Sequence, residues 1–263
     1  MLASEKWAII TGASSGIGKA LAFEFAKGGF NLFLTARNED SLKIVADDCR
    51  NNFNVKTEIF SADLSELNST DSLIKAISNK QFEVLINNAG FGVKGDFAET
   101  NIDEEIAMLN LQLAVMLKLT KAILPKMIES KSGKILNVAS VYSFAPVPMQ
   151  SVYSACKAFM LSFSTALQNE VKDSGITITV LCPGVTQTEF RTRAGIDDQK
   201  NLGMTAENVA KIAFRETTRG KHIVITGFRN KVFVMLAKHF PAGLFTAIVR
   251  FINNQRGVNK PKH

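Results

Sequence analysis

The chain has 263 residues, 46% of them hydrophobic, which is enough to bury the core of one large α/β domain. No run of about 18 consecutive apolar residues occurs, so no transmembrane helix is expected. Cys49, Cys156 and Cys182 are odd in number and widely spaced, and His222, His239 and His263 lack metal-ligand spacing. Together they exclude a disulfide framework and a zinc site, and they point to a reducing compartment.

The first element is the apolar run Trp7-Ala8-Ile9-Ile10, read as a strand. It starts so early that no signal peptide is expected, and a cytoplasmic location follows. Directly after it comes Thr11-Gly12-Ala13-Ser14-Ser15-Gly16-Ile17-Gly18, and then the helix-forming Lys19-Ala20-Leu21-Ala22-Phe23-Glu24-Phe25-Ala26. Strand, glycine turn and helix together form the context of a dinucleotide fingerprint. Glycines admit a pyrophosphate close to the backbone, and the helix N-terminus presents free N–H groups.

Strand signals recur near 6–11, 31–36, 55–60, 83–87, 134–138, 176–182 and 221–226. Helical periodicity falls between them, near 16–28, 39–50, 66–79, 101–129, 151–173 and 205–219. This alternation predicts a Rossmann-type, doubly wound parallel sheet with helices on both faces. No linker, low-complexity stretch or internal repeat interrupts it, so 1–263 reads as a single domain.

The second strand ends Phe33-Leu34-Thr35-Ala36-Arg37-Asn38. A carboxylate at its tip would hold a ribose 2′-hydroxyl and select NAD. Ala36 offers none, and the adjacent Arg37 guanidinium suits a 2′-phosphate, so NADP (NADPH) is the expected cofactor.

Ser140, Tyr153 and Lys157 carry the chemistry. Tyr153 and Lys157 lie four residues apart, hence on one helix face. A phenol has an ordinary pKa of about 10, and a neighbouring ammonium is expected to pull it toward working range. The Ser140 hydroxyl could hold a substrate oxygen while Tyr153 gives or takes a proton. Cys156 adjoins Lys157, which could lower its thiol pKa, but packing is the expected role.

With these motifs in place, the chain resembles the classical short-chain dehydrogenase/reductase family over roughly residues 5 to 227. The family's Asn-Asn-Ala-Gly motif stands at Asn87 to Gly90, its catalytic asparagine at Asn110 and its Pro-Gly segment at Pro183-Gly184, followed by Thr188. The resemblance implies the strand order 3-2-1-4-5-6-7 and a catalytic set of Asn110, Ser140, Tyr153 and Lys157. Cofactor contacts are implied for Gly12, Ser14, Ser15, Gly16, Ile17, Gly18, Arg37, Asp63, Leu64, Asn88, Ala89, Gly90, Tyr153, Lys157, Pro183, Gly184, Thr186 and Thr188. Thr186 departs from the aliphatic residue that many members carry. The implied activity is NADPH-dependent interconversion of a carbonyl and an alcohol, in a homodimer or homotetramer. Phe91, Phe144, Pro146, Met149 and Phe190 are candidate walls for a hydrophobic substrate. Two rivals remain: a non-catalytic NADP-binding regulatory or scaffold protein, and a sugar epimerase or dehydratase of the extended relatives, whose glycine spacing differs.

The polar stretch from Thr186 to Gly203 is expected to form a loop or short helices, acting as a lid over the site. Beyond it the charge changes. Thr217 to His263 carry nine Lys or Arg and no Asp or Glu, whereas the first 216 residues carry 22 basic and 24 acidic side chains. Residues 228–263 read as a basic, apolar helical extension. Val232, Met235, Leu236 and Phe240, then Leu244, Phe245, Ile248, Val249 and Ile252, recur at helical spacing, with Pro241 and Gly243 between the runs. Such a tail could cover the substrate entrance, meet another subunit or lie peripherally on an anionic membrane. No nucleic-acid module accompanies the charge.

Overall fold

Strand residues of alternating facing divide the core in two. The computed structural model describes residues 5–190, 194 and 203–255. On β1 (Trp7–Thr11), Ala8 and Ile10 face one layer and Ile9 the other. The same alternation holds on β2 (Asn31–Ala36), β4 (Val84–Asn87), β5 (Gly133–Val138) and β6 (Ile176–Cys182). Burial on both faces is what a parallel sheet covered by helices requires.

One face is packed by Leu21 and Phe25 of α1 (Gly16–Lys27) and by Leu42 and Val45 of α2 (Glu39–Phe53). Val209 and Ala213 of α7 (Ala206–Thr218) complete that layer. The other face takes Leu73 and Ile77 of α3 (Leu67–Ile77), Val115, Leu119 and Ile123 of α5 (Val115–Glu129), and Leu167 of α6 (Ser151–Glu170).

The seven-stranded sheet has the order β3-β2-β1-β4-β5-β6-β9, with β3 at Thr57–Ser61 and β9 at Ile223–Ile225. Every pairing is parallel. The order expected from the resemblance is therefore the order found, with β9 as its seventh strand. Strand order reverses between β1 and β4, the switch point where such sheets bind ligands at their C-terminal ends.

Two local features depart from the sequence reading. The helix expected over 101–129 is α4 (Ile102–Leu109), a π-helical turn over Asn110–Ala114, and then α5. In that turn the Val115 N–H donates to the Asn110 carbonyl, and Gln112 becomes buried, donating Nε2 to the Phe91 carbonyl at 2.7 Å. A one-residue excess barely disturbs apolar periodicity, so the pattern did not register it. By length and composition Ile102–Glu129 could cross a membrane. Instead, Met108, Met116, Leu119, Ile123 and Met127 are buried within the protein.

The second departure lies in the stretch expected as a loop. Thr186–Gln187 (β7) pairs in parallel with Met204–Thr205 (β8). Ala194 is buried, and the remainder of the expected lid, 191–193 and 195–202, lies outside the described residues. The tail forms α8 (Phe228–His239) and α9 (Ala242–Gln255), parted at Phe240-Pro241 as the proline demands.

Candidate active site

The glycine turn is built by close approach. Gly12 has φ +67°, and a Cβ there would stand 2.9 Å from Ala89 Cα and from the Asn88 side-chain nitrogen. A Cβ at Gly18 would collide with the Gly12 carbonyl and the Asn88 amide. Thr11 locks this contact: its Oγ1 accepts from the N–H groups of Asn88 and Ala89 at 2.9 Å each and donates to the Ile86 carbonyl at 3.3 Å. Asn88 Nδ2 donates to the carbonyls of Thr11 and Gly12 at 2.9 and 3.2 Å. The turns after β1 and β4 thus close into one cradle at the α1 N-terminus.

At the tip of β2, Arg37 Nη1 lies 3.5 Å from Asp63 Oδ2 in a largely exposed pair. Burial pushes the Asp63 carboxyl up, but hydrogen bonds from Ser65 and the Arg37 guanidinium outweigh it, so its pKa falls below the usual range. Asn38 caps α2, accepting from the Ser41 N–H at 2.7 Å. Arg37, Asn38 and Ser41 therefore place a guanidinium, an amide and a hydroxyl at one end of the cavity.

Ser140 lies two residues past β5 and caps a short 3₁₀ turn over Val141–Phe144, its Oγ accepting from the Tyr142 N–H at 3.2 Å. Tyr153 and Lys157 stand one turn apart on α6, both buried, with Lys157 Nζ 5.4 Å from the centre of the Tyr153 ring. Nζ donates to the Val138 carbonyl at 3.0 Å and approaches Met160 Sδ at 3.6 Å.

The electrostatics differ from the sequence expectation. Burial, reinforced by Tyr142, pushes the Tyr153 phenol above its ordinary value, and its hydrogen bond with Ser140 opposes this only in part. Burial lowers Lys157 from 10.5 to about 8. Desolvation thus sets the direction of both shifts. Cys156 is likewise pushed up by burial despite its neighbour Lys157, which leaves a packed thiol rather than a nucleophile.

One cavity of about 800 Å³ joins these parts, at the upper end of the range for ligand pockets. Gly12, Ser14, Ser15, Gly16, Ile17, Gly18, Arg37, Asp63, Leu64, Asn88, Ala89, Gly90, Ser140, Tyr153, Lys157, Pro183, Gly184, Thr186 and Thr188 all line it. Asn110 does not; its neighbour Leu111 does. Of the expected substrate walls, Phe91 and Phe190 reach the cavity, whereas Phe144, Pro146 and Met149 do not. Phe144 lies under Lys238, whose Nζ sits 5.0 Å from its ring centre.

Tyr142, Asn230 and Phe233 line the cavity and were not foreseen. Tyr142 packs edge-on against Tyr153 at 6.3 Å and tilted against Phe233 at 6.4 Å. The Asn230 amide presses on Gly184 so closely that no Cβ would fit there. Helix α8 therefore walls the site with Asn230 and Phe233, a placement that the recurring apolar spacing of the tail could have signalled but not oriented.

The chain matches the model of the short chain dehydrogenase family over residues 6–199. It is 36% identical over 189 residues to a rat very-long-chain 3-oxoacyl-CoA reductase, covering 70% of this chain and 61% of that protein. The chain thus spans less than two thirds of that relative's length. A Schizosaccharomyces pombe NADP-dependent 3-hydroxy acid dehydrogenase is 33% identical, with 84% and 90% of the two chains covered. Among solved structures, a Sphingobium yanoikuyae short-chain dehydrogenase in complex with NADPH superimposes with a TM-score of 0.81 at 28% identity, covering 98% of each chain. A 7beta-hydroxysteroid dehydrogenase gives a TM-score of 0.84 at 25% identity, covering 93% of this chain and 96% of that one.

Proposed function

The chain belongs to the short-chain dehydrogenase family, and from that premise we propose that it is an NADPH-dependent carbonyl reductase acting on a hydrophobic substrate. One observation carries the reading: Ser140, Tyr153 and Lys157 share a single cavity with the glycine cradle and Arg37. The donor set fits a dinucleotide phosphate. Gly12 and Gly18 let the turns after β1 and β4 close against each other at the α1 N-terminus, whose N–H groups suit a pyrophosphate, and Arg37 with Ser41 would take the 2′-phosphate.

NADPH, when bound, supplies the hydride equivalent. The chain's own residues do the rest. Ser140 Oγ holds the carbonyl oxygen beside the Tyr153 hydroxyl, which donates its proton to the forming alkoxide. A raised phenol pKa keeps Tyr153 protonated through the physiological range, so the proton it would donate is present. Lys157, held by the Val138 carbonyl, is positioned to bind the cofactor ribose. Asn110, at the head of the π turn and outside the cavity wall, acts indirectly by holding a water that connects Lys157 to solvent.

Phe91, Leu111, Tyr142, Phe190 and Phe233 give the substrate end its apolar walls. With the named relatives, they make 3-oxoacyl thioesters and bulky ketones the first substrates to try. A homo-oligomer is part of this reading, supported by the exposed apolar Ile102, Ile106 and Phe159. Purified protein should consume NADPH when given such carbonyls, with NADH a poorer donor. Tight NADPH binding without turnover on any of them would replace the reductase with a binding protein.

A further inference from the structure

Helix α8 has two sides. Asn230 and Phe233 face the cavity, and Val234 is buried. Phe228, Met235, Leu236 and Phe240 face outward, with Phe228 80% exposed. Helix α9 packs back through Phe245, whose ring meets that of Phe233 at 5.3 Å. Its Leu244, Ile248 and Phe251 follow one another at helical spacing and are all exposed. The two helices thus offer solvent a row of large apolar side chains that the protein's own core does not cover.

Charge identifies the occupant. Arg229, Lys231, Lys238 and Arg250 are interleaved with those apolar residues and exposed, and no acidic residue occurs from Thr217 onward. Among the described residues, no carboxylate pairs with any of the four. Exposed phenylalanine and leucine beside lysine and arginine that have no carboxylate partner, Lys238 meeting the Phe144 ring, match the boundary of an anionic bilayer, where apolar groups enter and cations stay among headgroups. An acidic protein partner would account for the cations but leave the phenylalanines unexplained.

We propose that the outer face of α8 and α9 docks on an anionic lipid surface. The inner side of the same helix walls the substrate cavity, so docking would bring the cavity mouth to the bilayer, where hydrophobic carbonyl substrates partition. Surface binding itself is independent of the reductase reading.

Co-sedimentation with vesicles of phosphatidylcholine, with and without phosphatidylserine, tests this using the full chain. Binding should require phosphatidylserine and weaken as salt rises. Each basic residue near the surface contributes about 1 kcal/mol, roughly a fivefold change in partitioning. Lys231→Glu with Arg250→Glu should therefore lower partitioning by more than roughly twentyfold. Phe228→Ser with Phe251→Ser should weaken it as well, and both variants should keep wild-type turnover of a soluble ketone. Equal binding to both vesicle types, or full binding by the charge-reversed variant, would overturn the proposal. So would the absence of vesicle binding together with self-association that Phe228→Ser and Phe251→Ser abolish, which would assign the face to a second copy. Because sedimentation needs no turnover, failure here leaves the reductase reading standing, and failure of turnover leaves docking standing.

Discussion

Replacing Lys157 with Met should stabilise the fold while abolishing turnover. Burial lowers the lysine from 10.5 to about 8, and a shift of that size corresponds to about 3 kcal/mol of unfavourable free energy for holding the ammonium inside. Losing its hydrogen bond to the Val138 carbonyl would give back about 1 kcal/mol. A net gain of about 2 kcal/mol at neutral pH should raise the melting temperature by about 4–8 °C in a chain of this size. The pH dependence identifies the cause. Below about pH 8 the ammonium is protonated in both states of the wild type, and the full cost applies. Between about 8 and 10.5 the unfolded chain keeps a proton that the folded chain has released, so wild-type stability rises with pH. The variant lacks that rise, so its advantage should shrink through this range and reverse to a deficit of about 1 kcal/mol above about pH 10.5, where only the lost hydrogen bond remains. Denaturant unfolding of both across this range measures the difference curve. A variant less stable than wild type at pH 7, or a gap that does not shrink on raising pH, would refute the electrostatic reasoning.

Arg37→Ala should weaken NADPH by roughly tenfold to a hundredfold and NADH little, because one charge-assisted contact to the 2′-phosphate is lost; titration of both cofactors decides, and equal losses would remove Arg37 from phosphate reading. Gly18→Ala should lower NADPH affinity more than roughly tenfold while circular dichroism stays native, because its Cβ has no room beside Gly12 and Asn88; unchanged affinity would mean that the cradle tolerates displacement. Phe233→Ala should raise KM for bulky ketones by roughly tenfold, the value of one buried aromatic side chain, and leave small ketones nearly unchanged; equal effects on both would place Phe233 outside substrate contact.

The parts of the site that are local in sequence were the legible ones. Thr11 to Gly18 joins a strand to a helix within one turn, and Tyr153 and Lys157 share a helix face through fixed spacing, so both could be read along the chain. Sheet order followed from the family resemblance and from strands whose two faces are both apolar. What escaped depends on contacts between distant segments. The Thr11 hydroxyl binding the turn after β4 spans 78 residues, and no pattern within either segment announces it. The π turn at Asn110 adds one residue to a helix whose apolar spacing continues on both sides, and within it Leu111 lines the cavity while Asn110 does not. Tyr142, Asn230 and Phe233 converge only after the tail folds back, so spacing revealed the two helices without showing which face met the cavity. The direction of the Tyr153 shift is not legible in the sequence, because proximity to Lys157 is visible there whereas the depth of burial is not.

Tyr153→Phe decides whether Tyr153 is the proton donor. The substitution removes a single hydroxyl from a buried ring, so cofactor binding measured by titration should stay within a few-fold of wild type. On whichever carbonyl the wild type reduces, kcat should fall by at least the ~10²–10⁴-fold that general acid catalysis contributes. Loss of turnover with NADPH affinity retained is expected. Near wild-type turnover by the phenylalanine variant would contradict it and assign the proton to another group.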